Sequence, residues 1–361
     1  MRRHWQREPL LVRGAFPDFA DPLAPREVLA LAASPEATSR LVRRRGASWS
    51  LEHGPFAPSR FKQLPRRDWT VLVQDTNHFS RRADALLACF DFIPHARIDD
   101  VMVSYALPGG GVGPHVDSYD VFLLQGLGRR RWQISRQRDH SFVPGLDLKI
   151  LERFAPEEEW VLEAGDMLYL PPGVAHHGVA ESECLTWSIG FRAPADRELV
   201  AAFLDFLHER LAPEGQYRDP GEAQAAHPGE IPPPLVEHAA RALASIRWTE
   251  SDVREFAGCF LSEPKPQVVF SPPARRLSRA RFAERAARAG LALDARSRLL
   301  YSGAGFFLNG EAIAVPAPLR PLLQRLADER TLEGPLKESA EFWNMAYGWY
   351  LQGFAQPREE P

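Results

Sequence analysis

His115 and Asp117 stand one residue apart in the segment PGGGVGPHVDSYD, residues 108–120. Side chains alternate between the two faces of an extended strand, so this pair projects from the same side. An imidazole and a carboxylate projecting together form two corners of a two-histidine, one-carboxylate metal site. Such a site suits non-haem Fe(II), because it leaves positions open for a co-substrate and O2. The second histidine has to come from elsewhere, and GDMLYLPPGVAHHG, residues 165–178, supplies it. There Gly165, Pro171, Gly173 and His176 follow the spacing G-x5-P-x-G-x2-H, in which a tight turn aims the last histidine inward. His177 is adjacent, and spacing from Gly173 selects His176 without fully separating the two.

A His-x-Asp pair alone is common on surfaces; what gives this one weight is the Gly/Pro turn and distal histidine in the same strand-rich interval. The plainer reading, a β-sandwich with structural histidines, does not call for the glycines and proline around His115. Structural zinc sites favour four thiolate or imidazole ligands, and Cys89, Cys184 and Cys259 are widely scattered. His53, His78, His95 and His140 have no comparable partner spacing and are assigned no metal role. An iron with open positions needs a cation for the far carboxylate of 2-oxoglutarate, and arginine has the matching fork geometry. In Arg129-Arg130-Arg131-Trp132, alternation points Arg130 opposite to its neighbours, and Ser104 on a neighbouring predicted strand offers a hydroxyl. The competing reading of that run is a basic strand edge in solvent.

The elements that must position these residues are short strands. From Asp99 to Pro194 the chain reads VMVSYAL, DVFLLQGL, RRRWQIS, EEWVLEAGDMLYL and CLTWSIGF, punctuated by Gly and Pro, which predicts an antiparallel sandwich or barrel. Residues 25–45 and 81–92 carry helix-like apolar spacing and are expected to flank this β-core. After Pro194 the spacing turns helical over 195–212, with an Asp placed as N-cap. A Pro/Gly-rich interval over 213–234 follows, then helices over 235–248 and 251–262. Beyond EPKPQVVFSPP come a helix (RARFAERAARAG), two short strands around Asn309-Gly310 and two more helices, the order of a small winged-helix-like domain. The expected divisions are 1–195, 196–264 and 265–361. The apolar faces of the middle helices predict a homodimer.

With 361 residues, 45% hydrophobic and 25% charged, the chain has globular composition and length for more than one unit. Its net charge of −3 provides no global basic field, so no specific nucleic-acid partner is expected. Arg275, Arg276, Arg279 and Arg281 suggest a DNA-binding regulator, but acidic residues interspersed in that region favour a solvated helix face. Neither a secretion signal nor a stretch of roughly 18 apolar residues is found; together with unpaired cysteines this predicts a cytoplasmic protein with no membrane span.

Several segments resemble the Jumonji-C ribosomal oxygenases: HWQREPLLVRGAF, SLEHGPF, WTVLVQDTNHF, RIDDVMVSYALPGGGVGPHVDSYDVFLLQGLGRRRWQIS, and GDMLYLPPGVAHHG with SIGFRAP. They span roughly residues 4 to 194. The resemblance implies a mainly β-plus-α protein: a double-stranded β-helix of the cupin/JmjC type, a helical dimerisation unit and a C-terminal winged helix. It implies an Fe(II)- and 2-oxoglutarate-dependent dioxygenase using O2, which 3-hydroxylates an arginine of large-subunit ribosomal protein sixteen. Its metal ligands fall on His115, Asp117 and His176, its co-substrate arginine on Arg130, and a hydroxyl partner on Ser104. The chain departs from the family pattern at Ala106, where a serine stands in the relative. Alternative readings are a non-catalytic ribosome-binding or assembly module, and a JmjC enzyme with another target residue.

Overall fold

The interval from Asp99 to Pro194 folds into strands, as its alternation predicts. The computed structural model describes residues 3–46, 48–212, 214–219 and 227–359. The chain divides into two compact units, with the boundary between Ala193 and Pro194. Part of the interval expected to be irregular over 213–234 lies outside the described residues.

In the first unit the elements run β1 (Leu10–Val12), α1 (Pro25–Ala32), β2 (Ser39–Arg45), β3 (Ser48–His53), α2 (Pro58–Lys62), β4 (Trp69–Val73), α3 (Arg81–Ala88) and β5 (Ile98–Ala106). They continue with β6 (His115–Val116), β7 (Asp120–Gln125), β8 (Arg130–Ser135), β9 (Glu158–Leu162), β10 (Met167–Leu170), β11 (Ala175–Ala180) and β12 (Cys184–Phe191). An eight-stranded antiparallel sheet has the order β1-β10-β7-β12-β5-β4-β2-β3, and a four-stranded sheet the order β6-β11-β8-β9. Central strands are apolar on both faces: every residue of β7 is buried, and so are all but one of β12. One face of the large sheet packs under α1 and α3. Between the two sheets, an apolar cluster that includes Val121, Leu123, Ile134 and Leu168 fills part of the space, and a polar cavity occupies the rest.

Two local expectations are corrected. Of residues 25–45 only Pro25–Ala32 is helical, and Ser39–Arg45 is strand β2. Within it Leu41 packs in the core under α1, while Arg40 and Val42 face the cavity. That period of two is decided by pairing with β3 and β4 on either side, which overrides the local apolar spacing. The helix after Pro194 is capped by Ala195 without a side-chain bond, and Asp196 is its first residue, where a carboxylate still complements the helix dipole.

The second unit contains α4 (Asp196–His208), α5 (Pro233–Ala244), α6 (Glu250–Ser262), α7 (Arg279–Ala289), β13 (Gly290–Leu293), β14 (Leu299–Ser302), β15 (Gly305–Leu308), β16 (Glu311–Ile313), α8 (Arg320–Glu329), β17 (Thr331–Glu333), α9 (Ala340–Gln352) and β18 (Ala355–Pro357). The β15–β16 turn is the expected one: Asn309 and Gly310 both have positive φ, 52° and 91°, as a two-residue hairpin of this kind requires. Helix α6 lies on β15 so closely that a Cβ at Gly258 would stand 2.2 Å from the Phe307 ring. Phe203 of α4 packs edge-on against Phe256 of α6, 5.1 Å between centroids. Val200 and Leu204 of α4 and Val236 and Leu243 of α5 remain exposed.

The N-terminal segment is fastened to the barrel by two buried carboxylates, Asp166, which accepts from the Gly14 N–H (2.9 Å) and Arg13 Nη1 (2.6 Å), and Asp120. Asp120, fully buried, accepts hydrogen bonds from the Tyr169 hydroxyl (2.6 Å), Gln6 Nε2 (3.1 Å) and Arg97 Nη2 (3.0 Å). Trp5 stacks on Tyr169 and on Phe122 alongside it. Asp120→Ala strands those donors in a low-dielectric setting and is expected to lower unfolding free energy by about 3 kcal/mol in urea titrations, with Asp120→Asn losing less.

Candidate metal centre

His115 sits on the two-residue strand β6, which pairs with β11 so that His115 lies directly opposite His176. Asp117 follows immediately after β6, and the Gly173 N–H donates to its carbonyl (2.9 Å), tying the two ligand-bearing segments together. A φ of 83° at Gly173 makes that turn one that favours glycine. One ligand atom from each of His115, Asp117 and His176 lies within 4.8 Å of the other two. The imidazole centroids are 4.1 Å apart, and His176 Nε2 is 3.6 Å from Asp117 Oδ2.

Both imidazoles are oriented the same way. His115 Nδ1 lies 3.0 Å from Gly113 O and His176 Nδ1 lies 3.0 Å from Val174 O. A carbonyl only accepts, so each Nδ1 carries a hydrogen, and the neutral form of either ring presents a bare Nε2, the form that binds metal. Burial, and then the neighbouring His115, pushes His176 down to about 4, which keeps it neutral near physiological pH. Three hard or borderline donors gathered on one side fit a divalent first-row metal with open positions. His177 points elsewhere: its ring meets Phe154 edge-on, 6.0 Å between centroids. The structure thus brings His176, and not His177, to His115 and Asp117.

The three residues line a cavity of about 440 Å³ shared by both sheets. Arg130 also lines it and is 5% exposed, whereas Arg129 and Arg131 are exposed and pair with Glu181. The Arg130 guanidinium donates from Nη2 to Cys184 Sγ (3.6 Å), a weak acceptor, and its Nε has no partner among the described residues. Ser104 is buried on the same cavity wall, its hydroxyl 3.5 Å from Thr186 O. Ala106 is fully buried opposite Thr70 and Cys184. Away from Arg130 the cavity wall carries Asp99, Asp100 and Tyr119 together with the cationic side chains of Arg40 and Lys149. Burial, then the charges of Asp117, Asp100 and Asp99, raises the Tyr119 phenol far above its ordinary range. Asp120 and Tyr105 do not join this wall: Asp120 faces Tyr169, and the Tyr105 hydroxyl donates to Glu183 (2.7 Å).

Thr70, Thr186 and Trp132 also line the cavity and were not singled out by motif. For Trp132 the signal was available, since it lies two residues from Arg130 and shares its inward parity. Thr70 and Thr186 become cavity residues only through pairing of β4 and β12 with β5.

A JmjC domain model matches residues 85–199, and a ROXA-like winged-helix model matches residues 245–356. The chain is 34% identical to the ribosomal protein uL16 3-hydroxylase of Escherichia coli (strain K12), over 98% of this chain and 97% of that protein. The crystal structure of E. coli ycfD superposes with a TM-score of 0.86 at 34% identity, covering 98% of this chain and 96% of that one. The E. coli ribosomal oxygenase YcfD in complex with cobalt and 2-oxoglutarate gives a TM-score of 0.83 at 33% identity, with the same 98% and 96% coverage.

Because its folded value is depressed, His176 stabilises the metal-free protein fully above its ordinary value of 6.5, and that contribution disappears as pH falls towards 4. Chelator-treated protein is expected to lose about 3 kcal/mol from this residue between pH 7 and pH 4. Urea titrations should show the slope with pH reduced in His176→Gln.

Proposed function

The chain belongs to the JmjC ribosomal oxygenases, and on that premise we propose that it is an Fe(II)- and 2-oxoglutarate-dependent hydroxylase of an arginine β-carbon in ribosomal protein uL16. The observation that carries this reading is the convergence of His115, Asp117 and His176 with a buried, weakly partnered Arg130 in one cavity. Iron, 2-oxoglutarate and O2 together supply the C–H oxidation when bound, with succinate and carbon dioxide as co-products.

The protein's own part is positioning. His115, Asp117 and His176 hold the metal in one preset geometry, with their tautomers fixed by Gly113 O and Val174 O. Iron is favoured by the donor set, two imidazoles and one carboxylate with no thiolate. Arg130 takes the far carboxylate of 2-oxoglutarate, a charge-assisted contact that replaces the weak bond to Cys184. Ser104, Thr70 and Thr186 offer hydroxyls on that wall, so the missing serine at Ala106 is made up by neighbours. Asp99, Asp100 and Tyr119 offer carboxylates and a phenol to a guanidinium beside Arg40, a contact that would bring the adjacent side-chain carbons of the target towards the metal. Of the three ligands His176 is buried, while His115 and Asp117 are partly exposed towards the cavity through which substrate would approach.

Such a substrate places the protein in the cytoplasm, and no helix among the described residues is long and apolar enough to cross a membrane. We further propose that residues 196–264 mediate homodimerisation through the exposed apolar residues of α4 and α5. Light scattering should then give twice the chain mass of 40.6 kDa, and Leu204→Asp with Val236→Asp should halve it. A monomer at micromolar concentration in the unmutated protein ends this proposal.

The activity is tested with anaerobically Fe(II)-loaded protein, 2-oxoglutarate and a uL16 peptide, started with O2 and read by mass spectrometry. One added oxygen on an arginine, absent with His115→Ala, is the expected result. Arg130→Ala should raise the KM for 2-oxoglutarate roughly 100-fold with metal binding retained. Succinate formed without peptide oxidation redirects the search to another target residue, and neither product supports a non-catalytic ribosome-binding module.

A further inference from the structure

Trp132 carries a hydrogen-bond donor for which the described residues supply no acceptor. The residue is 4% exposed, it lines the cavity, and its indole Nε1 is buried without a partner. Buried N–H groups are nearly always matched, so an unmatched one on a cavity wall marks a place for an acceptor from outside the chain.

The register of β8 on β11 shows where that acceptor belongs. Arg130 lies opposite Ala180, Trp132 opposite Gly178, and Ile134 opposite the metal-site residue His176. Trp132 is therefore midway along the wall between the arginine and the metal centre. Its ring centroid is 5.8 Å from Arg130 Cζ and 5.9 Å from the His176 ring. Gly178 makes the seat for the indole, since a Cβ there would stand 2.7 Å from two carbons of its six-membered ring. Arg130 Nε, two residues away on the same face, is a second unmatched buried donor. Two such donors flanking one stretch of cavity suit an elongated anion with oxygens at both ends.

We propose that Trp132 is a co-substrate-binding residue whose Nε1–H donates to a carboxylate oxygen of 2-oxoglutarate, between the metal and Arg130. This rests on the co-substrate reading above and adds to it a residue that neither the ligand motif nor the arginine run identifies. The contact favours an anion lying along β8 over one bound at the arginine alone.

The test uses full-length protein loaded with Zn(II), which binds without turnover, titrated with 2-oxoglutarate by calorimetry. Trp132→Phe keeps an aromatic ring and removes only the donor edge. It is expected to weaken 2-oxoglutarate roughly tenfold while Zn(II) affinity stays unchanged. In the ¹⁵N spectrum of the unmutated protein, which has nine tryptophans, the indole signal missing from Trp132→Phe should move downfield when 2-oxoglutarate is added. Should that variant not fold, Trp132→Leu, which also lacks a donor, serves in its place, and the indole shift of the unmutated protein is read without any variant. A folded variant that binds 2-oxoglutarate as tightly as the unmutated protein, or indole signals that stay fixed while it binds, overturns the role of Trp132 and leaves the co-substrate reading standing. Absence of 2-oxoglutarate binding to the unmutated protein overturns both.

Discussion

The pairing of β6 with β11 is the constraint on which the site depends. It is only two residue pairs long, yet it sets His115 against His176 across 61 positions of sequence. So short a ladder is weak by itself, and it is held because β11 is paired along its whole length with β8 on the other side. The Gly173 bond to Asp117 adds a third fastening at the turn. Both histidines then repeat one local device, in which Nδ1 donates to the carbonyl two residues earlier in the chain. Ligand geometry is consequently built into the backbone before any metal arrives, which reduces the ordering that metal binding has to impose.

Strand β8 acts as the ruler of the cavity. Its inward face carries Arg130, Trp132 and Ile134, and its outward face carries Arg131 and Gln133, which bind Glu181 and Glu159 on neighbouring strands. A slip of one residue would exchange these sets, burying Arg131 and exposing Arg130, so the outer ion pairs reinforce the register without being strong individually. The separation of Arg130 from Ile134, which lies opposite His176, is thereby fixed by backbone spacing, at about 13 Å between main-chain positions over four residues of strand.

The cavity is divided by its polar groups. Around Arg130 its polar groups are hydroxyls and unmatched N–H donors, which suit a carboxylate. Around Tyr119 they are carboxylates together with the Arg40 guanidinium, a mixed wall in contrast to the donor-rich one at Arg130. The metal ligands lie on the same wall system, so an anionic co-substrate and a cationic target can approach one centre without competing for the same groups. Asp120 would have been counted with the carboxylates of that wall by sequence proximity, but pleating turns it towards Tyr169, where it anchors the N-terminal segment instead.

Sequence by itself pointed to His115, Asp117 and His176 as candidate metal ligands, because they sit in glycine- and proline-rich contexts of local spacing, and it was the fold that separated His176 from His177. Sequence also determined the inward parity of Arg130, since strand alternation is a property of consecutive residues. The strand-rich core and the β15–β16 turn were legible for the same reason, down to the positive φ of Asn309 and Gly310. What only the tertiary structure decided is everything that arises from cross-strand neighbours. The helical spacing around residues 39–45 yielded to pairing with β3 and β4. Thr70 and Thr186 join Ser104 because β4 and β12 flank β5, and Asp120 faces Tyr169 and not the cavity because of its register. The unmatched indole of Trp132 could be recognised only after its surroundings were assembled, because an absent hydrogen-bond partner is a property of three-dimensional neighbours and leaves no trace in local sequence.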